Sequence, residues 1–289
     1  MTDTIVLGCG YVGMRLARQC LARGERVTGV VRSQDGLDRL DRAGIPGVRL
    51  DLATEGLGQL PAAGARLFHL APPPDTGTED AHTRRLVESF ARTGDPARIL
   101  YISTTGVYGD CDGRWVDETW PASPTTDRSR RRWDAEQCLT RWSAQSGGEL
   151  VVLRVAGIYG PERLPLERIR LGVPLVRPEE APFTNRIHVD DLVGLCLAAM
   201  DRGSDGGVYN ACDGNPSTMT DYFLRVADAA GLPHPPLIPM AEAAQHLSSG
   251  MLSYMAESRR LANDKLRREL DLDLHYPTLD DGLRAIFGA

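Results

Sequence analysis

The feature that most constrains this chain is a glycine-rich turn near its amino terminus, set between an apolar run and an amphipathic stretch. The run Thr4–Leu7 has the length and apolarity of a buried strand. From Tyr11 to Arg23 the apolar residues recur at helical spacing, and Gly24 then supplies a stop. A strand, a tight turn and a helix in this order open a βαβ unit, which predicts a parallel sheet covered by helices.

The same alternation continues through the first half of the chain. Two longer helices are predicted at about Glu79–Thr93 and Thr126–Gln145. The fold class is therefore predicted to be α/β, a Rossmann doubly wound parallel sheet with a small C-terminal substrate lobe. Five further buried strands are predicted at Val27–Val31, Val48–Leu50, Arg66–Leu70, Ile99–Ser103 and Leu150–Val155.

The composition changes beyond residue 156, where prolines interrupt the pattern and exclude one continuous helix. We predict an NAD(P)-binding Rossmann domain over residues 1–155 and a mostly separate lobe over 156–289. Segments within about 185–212 are expected to return to the Rossmann sheet, with Val189–Met200 as a helix and Gly207–Asn210 as a strand.

Charge and composition exclude several classes of protein. With 33 Lys and Arg against 39 Asp and Glu the net charge is −6, so no nucleic-acid partner is expected, even through the basic run Arg128–Arg132. No stretch approaches the ~20 apolar residues of a membrane span, and the amino-terminal segment lacks the pattern of a secretory signal. The six histidines show no metal-ligand spacing.

The cysteines indicate the compartment. They form no CxxC pair, which is typical of buried thiols in a reducing cytoplasm, and we expect a cytoplasmic protein. They are Cys9, Cys20, Cys111, Cys138, Cys196 and Cys212.

The turn itself is a GxGxxG between a predicted strand and a predicted helix, the context that indicates a dinucleotide site. Gly8 would permit the tight turn, Gly10 would let the backbone approach a pyrophosphate, and Gly13 would let the helix lie close to the strand. Amides at the helix amino terminus and the helix dipole would stabilise the diphosphate. The alternative is a purely structural glycine turn.

The end of the second strand predicts which cofactor binds. An acid about 20 residues beyond the glycines would accept hydrogen bonds from the adenosine ribose. Arg32 stands at this point, 19 residues after Gly13. A guanidinium suits a 2′-phosphate and has no acceptor for a hydroxyl, so NADP is predicted, with NAD as the other option. The alternative for Arg32 is a solvated surface side chain.

Other strand ends complete the predicted cofactor site, because ligands lie outside the carboxyl ends of parallel strands. Asp51 and Leu52 are placed to meet the adenine. Ala71, Pro72 and Pro73 give a rigid backbone near the pyrophosphate and ribose, although a structural turn explains the prolines equally well. The remaining predicted cofactor contacts are Tyr11, Val12, Ser33, Ser103 and Arg132.

Longer motifs accompany the glycine turn, at Tyr101–Gly109, Asp117–Pro121, Leu153–Pro161 and Asn185–Leu192. With them the chain resembles the extended short-chain dehydrogenase/reductase superfamily, the NAD(P)-dependent epimerase/dehydratase group, over almost its whole length. It is most similar to the atypical branch, whose members keep the cofactor fold but often lack the usual catalytic residues.

The resemblance implies catalytic positions that this chain fills only in part. The family uses a Ser or Thr after the fifth strand and a Tyr-x-x-x-Lys pair on the following helix. Thr104 takes the first position, but alignment through Glu136 puts Arg128 in place of the tyrosine and Arg132 in place of the lysine. The chain has a single lysine, Lys265, with no tyrosine four residues before it, so the pair is absent.

Chemistry limits the roles that the replacements can take. Arg132 can donate hydrogen bonds to ribose hydroxyls, whereas Arg128 stays charged and cannot give a proton to an alkoxide. Tyr108, which follows the fifth strand, is the first candidate for that proton, with a packed loop anchor as the alternative. Tyr159 and His188 come next. The predicted catalytic residues are Thr104, Tyr108 and Arg132.

The segments that border the cleft in the family suggest substrate contacts at Thr105, Tyr159, Arg186 and His188. A nucleotide-sugar substrate is not expected, because Thr184 stands where sugar-nucleotide epimerases carry a phosphate-binding arginine and the lobe is short. We predict an NADP-dependent oxidoreductase or epimerase-like enzyme acting on a small polar metabolite. The alternative is a non-catalytic NADP-binding sensor or scaffold. The resemblance also implies a homodimer through the helices after the fourth and fifth strands.

Overall fold

The computed structural model describes residues 3–288, so Met1 and Thr2 of the amino-terminal segment considered above lie outside it, as does Ala289. Seven strands form one parallel sheet in the order β3-β2-β1-β4-β5-β6-β7. They are β1 Asp3–Leu7, β2 Arg26–Val31, β3 Gly47–Arg49, β4 Arg66–His69, β5 Arg98–Thr104, β6 Glu149–Val155 and β7 Gly207–Ala211. The predicted α/β doubly wound sheet is confirmed.

Helices cover both faces of this sheet and build the lobe beside it. They are α1 Tyr11–Ala22, α2 Gln34–Arg42, α3 Ala81–Thr93, α4 Asp127–Ser146, α5 Leu166–Arg170, α6 Val189–Arg202, α7 Met219–Ala229, α8 Ala243–His246, α9 Ser249–Met255, α10 Asp264–Leu270 and α11 Leu279–Phe287. Single 3₁₀ turns occupy Thr105–Tyr108 and Met240–Glu242.

The alternation of side chains along each strand explains why the strand sequences are apolar throughout. Val6, Phe68 and Leu100 belong to the buried cluster that includes α1 and α6. Their neighbours Ile5, Leu67 and Ile99 belong to the cluster that includes α3 and α4. Because both faces are covered, the interior positions of the central strands are buried and only their end residues are partly exposed.

The starts of α3 and α4 depend on single capping residues. The Asp80 carboxylate accepts hydrogen bonds from the backbone amides of His82 and Thr83, so α3 begins at Ala81. The Thr126 hydroxyl accepts from the amide of Ser129, and α4 begins at Asp127. Each cap satisfies amides that the helix leaves unpaired, which places the helix starts within two residues of the predicted ones.

The carboxyl-terminal part both extends the sheet and forms the lobe. Residues after 185 lie against the sheet, with α6 packed on one face and β7 paired in parallel with β6. The lobe has its own apolar clusters, one between α7 and α11 and one around α8 and α9. Short two-stranded pairs complete it, namely Trp115–Val116 with Arg260–Leu261, Gly157–Tyr159 with Arg186–His188, Leu175–Val176 with Leu237–Ile238, and Phe183–Thr184 with Ser217–Thr218.

Two absences hold for the part of the chain that the structure describes. None of its helices combines the length and the apolarity that a membrane span needs. It also contains no cluster of three His, Cys, Asp or Glu side chains that could hold a metal ion.

Candidate active site

Two of the three glycines in the turn after β1 are required by the packing of the protein itself. Gly8 has a φ of +78°, and a Cβ at this position would lie 2.6 Å from the amide nitrogen of Ala71. At Gly13 a Cβ would lie 2.8 Å from the carbonyl oxygen of Gly8. A side chain at either position would therefore push the turn away from its neighbours.

Gly10 is different, because the protein leaves room for a side chain there. The nearest atom to a Cβ at Gly10 would be the carbonyl oxygen of Gly8, at 4.0 Å. Gly10 also caps α1 without a side-chain hydrogen bond, and the first turn of α1 carries no acidic residue. The amides of Tyr11, Val12 and Gly13 thus form the uncapped positive end of a helix. This arrangement fits the pyrophosphate of a dinucleotide.

Tyr11 connects this helix end to the lobe. Its hydroxyl donates to the carbonyl oxygen of Pro161 at 2.7 Å. Its ring lies between two guanidinium groups, with Arg15 at 4.1 Å and Arg163 at 4.7 Å from the ring centroid. The side chain of Tyr11 therefore links α1 to the lobe. Only the backbone amide of Tyr11 would contact a cofactor.

Arg32 lies at the carboxyl end of β2, one strand away from the glycine turn. Its side chain is exposed and makes no hydrogen bond or ion pair with any other residue of 3–288. Next to it, the hydroxyl of Ser33 accepts from the amide of Gly36 at 3.1 Å and caps α2. Arg32 is thus a free cation, whereas Ser33 already has a structural hydrogen bond.

The segments that follow β3 and β4 form turns. The Asp51 carboxylate accepts from the amide of Ala53 at 2.9 Å, and Leu52 is buried. Ala71 packs directly against Gly8, so the turn after β4 lies beside the glycine turn. Pro72 is exposed and Pro73 is half-buried. The structure therefore brings together the predicted contacts for the pyrophosphate and ribose at one edge of the sheet.

At the end of β5 the hydroxyl residues have different surroundings. The Ser103 hydroxyl donates to the buried Glu136 carboxylate, which also pairs with Arg154 at 2.8 Å. This buried network turns Ser103 away from the cofactor site. The Thr104 hydroxyl accepts from the amide of Gly106 at 3.2 Å, and its own hydrogen remains for another acceptor. Thr105 is buried.

The basic run on α4 is paired within the protein. Arg132 donates to the carbonyl oxygen of Ile102 at 2.8 Å, which holds its guanidinium over the end of β5. Arg130 pairs with Asp127 at 2.8 Å, and Arg131 donates to the carbonyl oxygen of Gly77. Each of these three arginines thus has a hydrogen-bond partner within the described part of the chain.

The three predicted proton donors are all buried. Tyr108 is 1% exposed and donates to Oδ1 of Asn210 at 2.8 Å, and burial raises its pKa to about 12. The Tyr159 hydroxyl lies 3.4 Å from the carbonyl oxygen of Thr278, and burial raises its pKa too. His188 packs against the Tyr159 ring, and burial lowers its pKa. The prediction of Tyr108 as proton donor is therefore corrected, because its hydroxyl is an internal anchor.

Arg186 is a buried cation that forms no ion pair with a carboxylate among the described residues. It donates to the Thr184 hydroxyl at 2.8 Å and lies 3.9 Å above the centroid of the Tyr222 ring. Its Nε has no hydrogen-bond partner in the described part of the chain, and burial lowers its pKa. This residue keeps unused capacity for an anionic or carbonyl group.

One contact at this edge has no signal in the sequence. Arg128, at the start of α4, lies 4.1 Å from the ring centroid of Tyr254 on α9 and donates to its hydroxyl. The two residues are 126 positions apart, so no spacing motif relates them. Their contact depends on how the lobe folds back over the sheet.

Comparison with known proteins places this geometry in context. A sequence model described as the NAD dependent epimerase/dehydratase family matches residues 4–212. Protein YeeZ of Escherichia coli K12 is 28% identical, with 96% of this chain and 97% of that protein covered. A 3-diazoavenalumate denitrifying reductase of a Streptomyces species is 29% identical, over 95% of this chain and 96% of that protein.

A third relative and two solved structures extend the comparison. A 4-hydroxy-2-methyl-3-oxo-4-farnesyl-3,4-dihydroquinoline-1-oxide ketoreductase of Stigmatella aurantiaca is 28% identical, over 94% of this chain and 89% of that protein. A functionally unknown conserved protein from Silicibacter pomeroyi superposes with a TM-score of 0.85 at 32% identity, covering 99% of this chain and 98% of that one. The dTDP-glucose 4,6-dehydratase of Bacillus anthracis, solved with NAD, has a TM-score of 0.77 at 17% identity, covering 100% and 96%. At that identity the last likeness concerns the fold alone.

Proposed function

The chain belongs to the NAD dependent epimerase/dehydratase family, and from this premise we propose that it is an NADP-dependent reductase of a carbonyl group in a small polar metabolite. Two relatives that are named as a reductase and a ketoreductase support reduction rather than epimerisation. The observation that carries the choice of cofactor is Arg32, an exposed cation at the end of β2 without a hydrogen-bond or ion-pair partner among residues 3–288.

The residues around the turn have separate roles in this proposal. The reduced dinucleotide, when bound, supplies a hydride. Amides at the start of α1 hold the pyrophosphate, and Arg32 holds the 2′-phosphate. Arg132, held at the end of β5, would donate to the nicotinamide ribose, and Thr104 would donate a hydrogen bond that orients the substrate carbonyl. Arg186 offers a buried positive charge to a polar group of the substrate.

Measuring the dissociation constants of NADPH and NADH tests the choice of cofactor. Arg32→Ala is expected to weaken NADPH binding by 10-fold or more, because a charged hydrogen bond contributes about 1.5–3 kcal/mol. NADH binding should change little. Arg39→Ala, which removes an exposed arginine on the following helix α2, is the matched control. Equal affinities for the two cofactors in the unaltered protein would contradict the proposal.

A cofactor-binding protein without turnover is the second candidate. The burial of Tyr108, Tyr159 and His188 favours it, since none of these groups is open to a substrate. Stereospecifically deuterated NADPH with a panel of aldehydes, ketones and quinones separates the two. Transfer of the label to any compound supports the reductase, whereas tight NADPH binding without transfer supports the sensor.

We also propose a cytoplasmic location. All six cysteines are free thiols and buried, which suits a reducing compartment.

A further inference from the structure

We propose that Tyr254, carried by α9 of the lobe and held by Arg128, is the proton donor of the carbonyl reduction. This inference rests on the reductase function proposed above. When hydride adds to a carbonyl carbon, the π-electron pair moves to the oxygen, and that oxygen must receive a proton. A positioned acid within hydrogen-bond reach is the usual source.

Exposure separates Tyr254 from the other phenol and imidazole groups near the end of β5. Tyr101, Tyr108 and Tyr159 are at most 1% exposed. The imidazoles of His69 and His188 are at most 2% exposed. Tyr254 is 48% exposed, so its hydroxyl can meet a substrate.

The position of Tyr254 follows from α4. Arg128, whose guanidinium holds the Tyr254 ring and hydroxyl, lies one turn before Arg132, which reaches the carbonyl oxygen of Ile102 on β5. In the same first turn of α4, the Ser129 hydroxyl would lie 2.7 Å from a Cβ on Gly106. The start of α4 thus abuts the turn that follows Thr104. The phenol of Tyr254 and the hydroxyl of Thr104 therefore belong to the same edge of the sheet.

The chain that follows α9 is anchored to the loop after β5. Thr125 donates to the carboxylate of Glu257 at 2.5 Å. The amide of Ser258 donates to Asp110 at 2.8 Å, and the Arg259 guanidinium donates to the carbonyl oxygen of Gly109. These contacts fix the chain just after Tyr254 to that loop. Because Arg128 holds the phenol itself, the phenol is positioned before a substrate arrives.

The other side of α9 faces the lobe. Met251 and Met255 pack on the buried cluster that contains Val176 and Ala243. Tyr254 is on the part of the helix that this cluster does not cover. The helix therefore has an apolar side that holds it to the lobe and a phenol that projects toward α4.

The reduction requires only NADPH and the carbonyl compound as reactants. The hydride reduces the carbonyl by two electrons while NADPH is oxidised to NADP⁺. The O–H bond of Tyr254 breaks, its proton goes to the former carbonyl oxygen, and a phenolate remains. The Arg128 guanidinium, already hydrogen-bonded to this oxygen, offsets the negative charge. Solvent then returns a proton to the exposed phenolate.

The test compares Tyr254→Phe with the unaltered protein on any carbonyl compound to which the unaltered protein transfers the deuterium label. Loss of a general acid typically slows a reaction by about 10²–10⁴-fold, so kcat should fall at least 100-fold. NADPH affinity should stay within about twofold, because the phenol does not touch the proposed cofactor residues. Tyr276→Phe, which also removes one hydroxyl from a lobe tyrosine, should keep full activity.

Variants of Arg128 distinguish a positioned proton donor from a packing residue. Arg128→Lys should retain more activity than Arg128→Gln, because a cation remains beside the hydroxyl. If the unaltered protein transfers no label, the reductase function and this inference both fail. If it transfers label and Tyr254→Phe is equally fast, only this inference is overturned.

Discussion

At the scale of single residues, the same side chain can be a catalyst or a core group, and burial decides between them. His69 ends β4 beside the cofactor edge, yet it is 1% exposed. The Thr83 hydroxyl gives its hydrogen to Asp80, so His69 must donate from Nε2 to the Thr83 oxygen, 2.9 Å away. Its Nδ1 has no partner among residues 3–288. Burial, together with the charge of the nearby Arg132, lowers the pKa of His69 to about 3.

This shift predicts acid sensitivity. The folded protein binds a proton on His69 far more weakly than the unfolded chain does. The contribution of neutral His69 to the free energy of unfolding is therefore complete above pH 6.5 and is lost as the pH falls toward 3. The free energy of unfolding should fall by up to about 1.4 kcal/mol per pH unit from this residue. His69→Gln, which keeps a donor, should flatten the dependence in denaturant titrations across this range. If the free energy of unfolding of His69→Gln fell with pH as steeply as that of the unaltered protein, the acid sensitivity would not come from His69. His234→Gln, at an exposed histidine, is the control.

At the scale of elements, the turn between β1 and α1 separates stability from binding. Gly8 is needed by the turn itself, since its φ is +78° and Ala71 lies against it. Gly10 has open space where its side chain would be. Packing within the protein therefore requires Gly8 but not Gly10, and we infer that the space at Gly10 serves a ligand.

Alanine at each of these glycines should show the difference. Gly8→Ala is expected to lower the free energy of unfolding by about 2 kcal/mol or more, through left-handed strain and a backbone clash. Gly10→Ala should change it by less than about 0.5 kcal/mol and still weaken NADPH binding at least 10-fold. Denaturant titration and calorimetry measure the two effects. If Gly10→Ala bound NADPH as tightly as the unaltered protein, the pyrophosphate would not bind at this turn.

At the scale of the whole molecule, the surface bears on the homodimer that the family resemblance implies. Such a dimer would bury the outer faces of α3 and α4. The exposed charged side chains include Arg85, Glu88 and Arg92 on α3 and Arg130 and Arg141 on α4. The large exposed hydrophobic side chains of the described residues all lie elsewhere, at Trp115, Leu171, Leu237 and Tyr254. Stable interfaces have an apolar centre, which α3 and α4 do not offer.

We therefore expect a monomer, against the homodimer that the resemblance suggests. Light scattering at micromolar concentration should give a mass near 31.5 kDa. A mass of about twice that value, lowered by charge reversal at Arg85 on α3, would restore the predicted dimer. A dimer that is insensitive to this change would point to another face.

The amino-acid sequence by itself determined the sheet, the glycine turn and the placing of Arg32. Each depends on a pattern within a short window: apolar runs, a GxGxxG between strand and helix, and a distance along one βαβ unit. The tertiary structure decided which hydroxyl groups are exposed and can reach a substrate. Asn210 engages Tyr108 across 102 positions, and Arg128 meets Tyr254 across 126. Burial and pairing of this kind arise only when distant segments pack together. A pattern within a short window of sequence therefore cannot predict them.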